Sequence, residues 1–245
     1  MNSIRKKAPL IHMITNGVSR ESCANIVLAA GGSAICAEAA EEVEEIVDLA
    51  DGLLLNIGMP TPAKKEAMLL ALQRAKERKL PVVLDPVGVS ASAFRKELVE
   101  ELFAIGGITL IRGNRGEIAA LCRHQVASRG VETSVVHLAV ADVQQLSEAT
   151  GAMVMASGEE ELLVWKHQVI EKAGGGQFFC SMTGSGCMQS ALLAASIAAA
   201  EDPWRGLVDG VSLFEAAGTW ARAHSDGPGS FLPAFLDGIY LHEEE

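Results

Sequence analysis

"GLLLNIGMPTPAKKEAMLLALQRAKERKLPVVLDPVG", residues 52–88, reads as strand, helix, strand. Its two ends, 52–58 and 81–88, are short aliphatic runs with the length and unbroken hydrophobicity of strands buried on both faces. Between them, residues 62–79 open with Pro62, which suits a first helical turn, and carry Ala67, Leu70, Ala71 and Ala75 at helical spacing. The same grammar extends in both directions. "GITLIRGN" (107–114) and "GAMVMASG" (151–158) are further strands of this type, and "GSAIC" (32–36) is expected to begin the series. Helical patterns cover 40–50, 95–105, 115–123 and 137–150. Alternation of this kind implies an α/β fold with a mainly parallel sheet covered by helices. After a hairpin-type pair of strands near 161–170 the chain is almost all helix. There is no internal repeat, and the terminal "HEEE" reads as a frayed end.

The bulk properties narrow the class. The 245 residues, without a linker-like stretch, read as one domain over 1–245. At 4% aromatic residues the core is expected to be aliphatic. A net charge of -11 argues against a nucleic-acid surface, which needs clustered Lys and Arg. The basic trio Arg5-Lys6-Lys7 is short, and the "APLIHMITNG" that follows is interrupted by His12, Thr15 and Asn16, so no signal-peptide core is read there. No apolar run reaches the ~20 residues of a membrane helix. The expected compartment is the cytoplasm. Five cysteines without a C-x-x-C pair read as free thiols, and six histidines show no metal-ligand spacing.

Polar residues punctuate the aliphatic runs at one place. Cys36 and Glu38, Asn56, Asp85, Arg112 and Asn114, and Ser157 each fall at or just past a strand end. In a parallel sheet those ends share the edge at which open α/β folds bind ligands.

Three constellations there carry chemistry. In "MTGSGCMQSALLAASIAAA" (182–200), Gly184-Ser185-Gly186-Cys187 precede a long apolar helix. That is a tight turn into a buried helix, and its free N–H groups together with the helix dipole also make an anion site. Cys187 stands where a thiolate is stabilised; it reads as a buried thiol, a nucleophile, or a residue facing a substrate hydroxyl. In "RGNRGEIAAL" (112–121), Asn114 and Glu117 are three apart at a helix start. With Asp85 they could hold a hydrated Mg²⁺, and they also form a capping-box-like pair. Arg112 ends an apolar strand and needs an anion: Asp85 from within, or a nucleotide phosphate. "HSDGPGSFLPAFLDGIY" (224–240) reads as a Gly-Pro-Gly turn and an amphipathic helix capped by Ser230, with Phe231, Phe235 and Leu236 facing the core.

"PLIHMITNGV", "AEEVEEI", "LLLNIG", "VVLDPVG", "IRGNRGEIAAL", "TGSGCMQSALL" and "DGPGSF" follow one another as in the hydroxyethylthiazole kinase family, which the chain resembles from Pro9 to about Tyr240. The resemblance implies a three-layer ribokinase-like fold. It further implies ATP- and Mg²⁺-dependent phosphorylation of the alcohol of 4-methyl-5-(2-hydroxyethyl)thiazole in thiamine salvage, by a cytoplasmic homotrimer with active sites at subunit interfaces. By the same resemblance Arg112, Asn114 and Ser157 lie at nucleotide contacts, and Asp85 and Glu117 at the Mg²⁺ and phosphate neighbourhood. Asn25, Cys36 and Gly184 fall at alcohol contacts, and Gly184 to Cys187 at the anion hole, with Cys187 where related sugar and vitamin kinases carry an aspartate base. The departures surround the pocket. Cys36 replaces a usual methionine, Gly17 a bulkier residue, Glu21 an asparagine and Ser157 a threonine. Ser90 stands where a glycine is usual, and "AGGGQFFCSMTG" (173–184) lacks a usual His-Pro pair. Phosphoryl chemistry is therefore better supported than acceptor choice. The rival readings are a kinase of another heterocyclic alcohol, of the hydroxymethylpyrimidine type, and a non-catalytic thiazole- or nucleotide-binding homologue.

Overall fold

The strands are β1 (Leu10–Ile14), β2 (Ser33–Ile35), β3 (Gly52–Asn56), β4 (Val82–Asp85), β5 (Leu110–Asn114), β6 (Met153–Ser157), β7 (Glu160–Trp165) and β8 (Gln168–Ala173). The helices are α1 (Ser3–Lys7), α2 (Arg20–Ala29), α3 (Val43–Leu49), α4 (Pro62–Arg78), α5 (Ala93–Ile105), α6 (Arg115–Val126), α7 (Val140–Thr150), α8 (Ser185–Ala199), α9 (Pro203–Ala223) and α10 (Pro228–His242). This computed structural model describes residues 3–126 (side chains to Arg123), 138–174, 179 and 181–242. Parts of the 173–184 stretch, Cys180, His137 and the terminal acidic residues lie outside the described residues.

All eight strands form one sheet in the order β2-β1-β3-β4-β5-β6-β7-β8. The pairs from β2 to β6 are parallel. The two that follow, β6 with β7 and β7 with β8, are antiparallel. Because β1 lies between β2 and β3, the direction of winding reverses at the β1/β3 boundary, and a crevice opens there at the carboxyl edge. Register fixes which residues share that edge: Asn56 lies beside Asp85, and Asn114 beside Ser157.

Alternation along the strands sends side chains to two cores. Leu54, Val83, Leu110 and Met153 pack with residues of α2, α8, α9 and α10, while Leu53, Leu55, Val82, Leu84 and Ile111 pack with residues of α3 to α7. Burial on both faces is why these strands read as unbroken aliphatic runs. The expected strands and helices are present within a few residues of their sequence limits. α4 starts as expected at Pro62, with Thr61 Oγ1 accepting from Lys64 N–H at 3.1 Å.

Three expectations are corrected. The series begins with β1, not with the 32–36 strand, which is the edge strand β2. His12 breaks the apolar pattern of β1, yet it is fully buried, and its Nε2 donates to the Ala37 carbonyl at 2.9 Å. Ser230 does not cap α10: the helix starts at Pro228, and Ser230 Oγ accepts from Asp226 N–H at 3.1 Å from within the first turn. The core is aliphatic at the sheet but not everywhere. Phe214, Phe231 and Phe235 gather around Phe179, with centroid distances of 4.9 to 5.3 Å from it.

Candidate active site

The site is built on the ends of β1, β3 and β4 and the start of α8. Asn56 and Asp85 are fully buried neighbours across β3 and β4. Asn56 Nδ2 donates to Asp85 Oδ2 at 2.9 Å and to Cys187 Sγ at 3.2 Å. Its Oδ1 accepts from Asn16 Nδ2 at 3.1 Å and from Gly58 N–H at 2.9 Å. Asn16, just past β1, also donates to Cys187 Sγ at 3.4 Å, while its own Oδ1 accepts from Ser19 N–H at 3.0 Å. Two amides from opposite sides of the winding reversal thus converge on one sulfur.

Asp85 is the charged member of this group. Ser190 Oγ donates to its Oδ2 at 2.8 Å, whereas Oδ1 has no partner among the described residues. Burial pushes its carboxyl up to about 6, against the pull of the Arg112 guanidinium and the Ser190 and Asn56 hydrogen bonds; the nearby Glu117 adds to the rise.

The start of α8 has the form expected of an anion site. Gly184 precedes the helix at φ +84, and a Cβ there would come within 2.9 Å of Ser19 Cβ, so only glycine fits. No side chain caps this helix; the Ser185 hydroxyl donates outward to the Phe179 carbonyl at 3.0 Å. Ser185, Gly186 and Cys187 therefore present first-turn N–H groups, on the positive end of a fifteen-residue helix.

Arg112 reaches the same place from β5. It does not pair with Asp85, its expected internal partner. Its Nε and Nη2 donate to Gln189 Oε1 at 3.1 and 2.6 Å, and Nη2 donates to Ser157 Oγ at 2.7 Å. A Cβ on Gly186 would stand 2.6 Å from Nη1, so the missing side chain there makes room for the guanidinium. Asn114 and Glu117 form the reciprocal pair: Asn114 N–H donates to Glu117 Oε2 at 2.8 Å, and Glu117 N–H donates to Asn114 Oδ1 at 2.9 Å. Glu117 Oε1 also accepts from Gly88 N–H at 2.8 Å, tying α6 to the loop after β4. Among the described residues no group of three or more His, Cys, Asp or Glu could hold a metal.

Asp85, Arg112, Ser157, Cys187 and the 184–186 turn are brought together. Asn25 and Cys36 are not joined to them by any described contact: Asn25 is half-buried on α2, and Cys36 is exposed past β2. Near it, Glu38 meets Arg20 at 2.9 Å and Lys64 at 3.2 Å; burial raises its carboxyl, but these two cations outweigh that and hold it low. Sequence reasoning missed three residues of the network. Asn16 went unread because β1 was not seen. Gln189 and Ser190 were concealed in an apolar helix, although two adjacent polar residues in the second turn of "SGCMQSALLAA" were the available signal.

Comparison with known proteins agrees with this geometry. The chain matches the sequence profile of the hydroxyethylthiazole kinase family over residues 1–245. It is 41% identical over 239 residues to a hydroxyethylthiazole kinase of Nitratidesulfovibrio vulgaris, covering 97% of this chain and 90% of that one. The structure of a hydroxyethylthiazole kinase from Pyrococcus horikoshii superposes with a TM-score of 0.88 at 30% identity, covering 97% of this chain and 90% of the other. A ribokinase-like superfamily protein of Enterococcus faecalis, 11% identical, matches in fold with a TM-score of 0.67 over 96% of this chain and 86% of its own. No helix among the described residues is long and apolar enough to cross a membrane. Matched along its whole length by the family profile and at 41% identity by a relative of nearly the same extent, the chain belongs to the hydroxyethylthiazole kinase family.

Proposed function

We propose that the chain, acting as one domain over residues 1–245, transfers the γ-phosphoryl group of ATP to the hydroxyl of 4-methyl-5-(2-hydroxyethyl)thiazole. The observation that carries this reading is the convergence of Arg112 on the uncapped start of α8 through the space left by Gly186. A cation and free N–H groups aimed at one small volume suit a transferring phosphoryl group, whose charge spreads over its equatorial oxygens. Ser157 and Gln189 hold Arg112 for the nucleotide, and Asn114 orders the neighbouring helix start.

The acceptor alcohol belongs beside Cys187, next to Gly184. Cys187 is only 8% exposed and its Sγ is fixed by the Asn16 and Asn56 amides, a position from which Sγ as the thiolate takes up the alcohol proton as the new P–O bond forms and the bond from the γ-phosphorus to ADP breaks. In a loose transition state this assistance is modest, and alignment counts for more.

The residues fit Mg²⁺. Asp85 offers a buried carboxyl oxygen without a described partner, and Glu117 a second carboxyl close enough to affect it, both hard oxygen donors. When bound, the ion supplies neutralisation of phosphate charge. Asp85 would hold it, with Glu117 ordering Gly88 and Asn114 alongside.

Asn25 and Cys36 line the acceptor side in this reading, which takes the enzyme as a homotrimer whose interfaces complete each site. The expected compartment is the cytoplasm, where ATP is supplied. Sedimentation should give three times the 25.8 kDa chain mass. The deciding experiment is mass spectrometry after incubation with ATP, Mg²⁺ and hydroxyethylthiazole, with hydroxymethylpyrimidine in parallel. Thiazole phosphate appearing with ADP is expected; phosphorylation of the pyrimidine alone, or of neither, overturns the assignment.

A further inference from the structure

Arg112 is 7% exposed and touches no carboxylate among the described residues. A buried guanidinium is ordinarily paired with an anion. Here its principal partner is a neutral amide, that of Gln189, which is itself 2% exposed. Behind that amide, Gln189 Nε2 donates to Glu161 Oε1 at 2.9 Å. The order is thus cation, amide, carboxylate.

The chemistry of the three groups admits only this arrangement. A guanidinium donates and never accepts, and a carboxylate accepts, so the group between them must present an acceptor to one and a donor to the other. A primary amide does so, and the carboxylate dictates which way round it sits. Glutamate at position 189 would set one carboxylate against another, and an aliphatic side chain would leave Glu161 Oε1 without the Gln189 donor and Arg112 with Ser157 as its one remaining hydrogen-bond partner among the described residues. Glu161, 3% exposed on β7, is held in turn by its surroundings. Glu215 of α9 approaches it, and Lys172 of β8 meets Glu215 at 2.7 Å.

We infer that Gln189, oriented by Glu161, is a positioning residue that fixes the Arg112 guanidinium at the start of α8 without neutralising it, so that its charge remains available to the phosphates of ATP. The inference rests on the assignment of Arg112 to the nucleotide. Direct contact with a carboxylate would hold the side chain equally well but would set an internal anion in competition with the phosphates.

The test exchanges the two groups. In the double variant Q189E/E161Q the same atoms are present and every hydrogen bond has a partner, but the carboxylate now touches Arg112. The Michaelis constant for ATP should rise about tenfold and kcat should fall with it, while the Michaelis constant for the thiazole changes by less than about twofold. On an Arg112→Ala background, which alone raises the ATP constant, the exchange should add nothing. An unchanged ATP constant in the exchange variant, where Arg112→Ala does raise it, overturns the inference and leaves the role of Arg112 standing. An exchange effect that persists in full without Arg112 also overturns it. An ATP constant indifferent to Arg112→Ala removes the nucleotide assignment and the inference together. If the exchange variant does not fold, the Gln189→Met variant must raise the ATP constant while leaving the thiazole constant in place, and a failure to do so overturns the inference.

Discussion

The two halves of the carboxyl edge solve opposite problems. At the ends of β1, β3 and β4 the side chains are amides and one aspartate, buried and bonded to one another and to the Cys187 thiol of α8. At β5 and β6 a guanidinium, a hydroxyl and a capping pair stand toward a more open rim, where Asn114 is exposed and Glu117 half-buried. The first half is buried and, Asp85 apart, neutral, which in the proposed reaction suits an uncharged alcohol; the second keeps a positive charge, in that proposal for the phosphates of ATP. Gly184 to Cys187 sits between them, so in the proposed reaction phosphoryl transfer runs from the charged half to the neutral one.

The largest effect should come from Asp85, which belongs to both halves. Asp85→Asn keeps the shape and removes the charge, and kcat should fall by about a hundredfold or more in initial-rate assays, with the fold intact by circular dichroism. A loss of less than about threefold would detach Asp85 from the chemistry. Next is Gly186→Ala, aimed at the charged half alone. The new Cβ displaces an arginine already pinned by Gln189 and Ser157, so the ATP constant should rise about tenfold while the thiazole constant stays in place. Alanine's helix-propensity gain of about 1 kcal/mol offsets only part of the cost of displacing that buried guanidinium, so the melting temperature should not rise.

Cys187→Ala probes the neutral half, and its kcat should fall by about five- to tenfold with little change in either Michaelis constant. Turnover equal to wild type would show that the sulfur takes no part with the alcohol. The smallest effect is in stability, at Glu161→Gln. Burial raises the Glu161 carboxyl to about 7 from an ordinary 4.5; the Gln189 hydrogen bond opposes the rise and Glu215 adds to it. Since the folded state takes up the proton more readily than the unfolded chain, this group's stabilising contribution is full below about pH 4.5 and is lost as pH rises through 7. Glutamine does not titrate. Melting curves should thus show the variant gaining on wild type between pH 5 and pH 8, and a constant difference would mean that Glu161 does not titrate in that range.

Much of this was legible before any coordinates. Strands buried on both faces announce themselves by composition, and their ends mark a binding edge wherever the sheet is parallel, so Asp85, Arg112 and Ser157 could be picked out by position alone. What escaped did so for physical reasons. β1 was masked by a histidine whose polarity is satisfied by a distant carbonyl, and with β1 went Asn16. Arg112 was given Asp85 as partner because charge pairing is the usual fate of a buried cation, whereas the amide that takes this role lies 77 residues further along the chain. Ser230 has the composition of a cap, but Pro228 starts the helix two residues earlier, as proline can at a first turn.

Helix α8 carries a consequence beyond chemistry. All but three of its fifteen residues are buried, from Cys187 to Ala199, and its first turn is the centre of the site. A segment enclosed on every side has no partial opening available to it, so its amide protons should exchange with solvent only when the whole molecule unfolds. Deuterium uptake along residues 188–199 would then report global stability from the helix that begins at the proposed active site. Loss of activity on heating should coincide with loss of the fold rather than precede it.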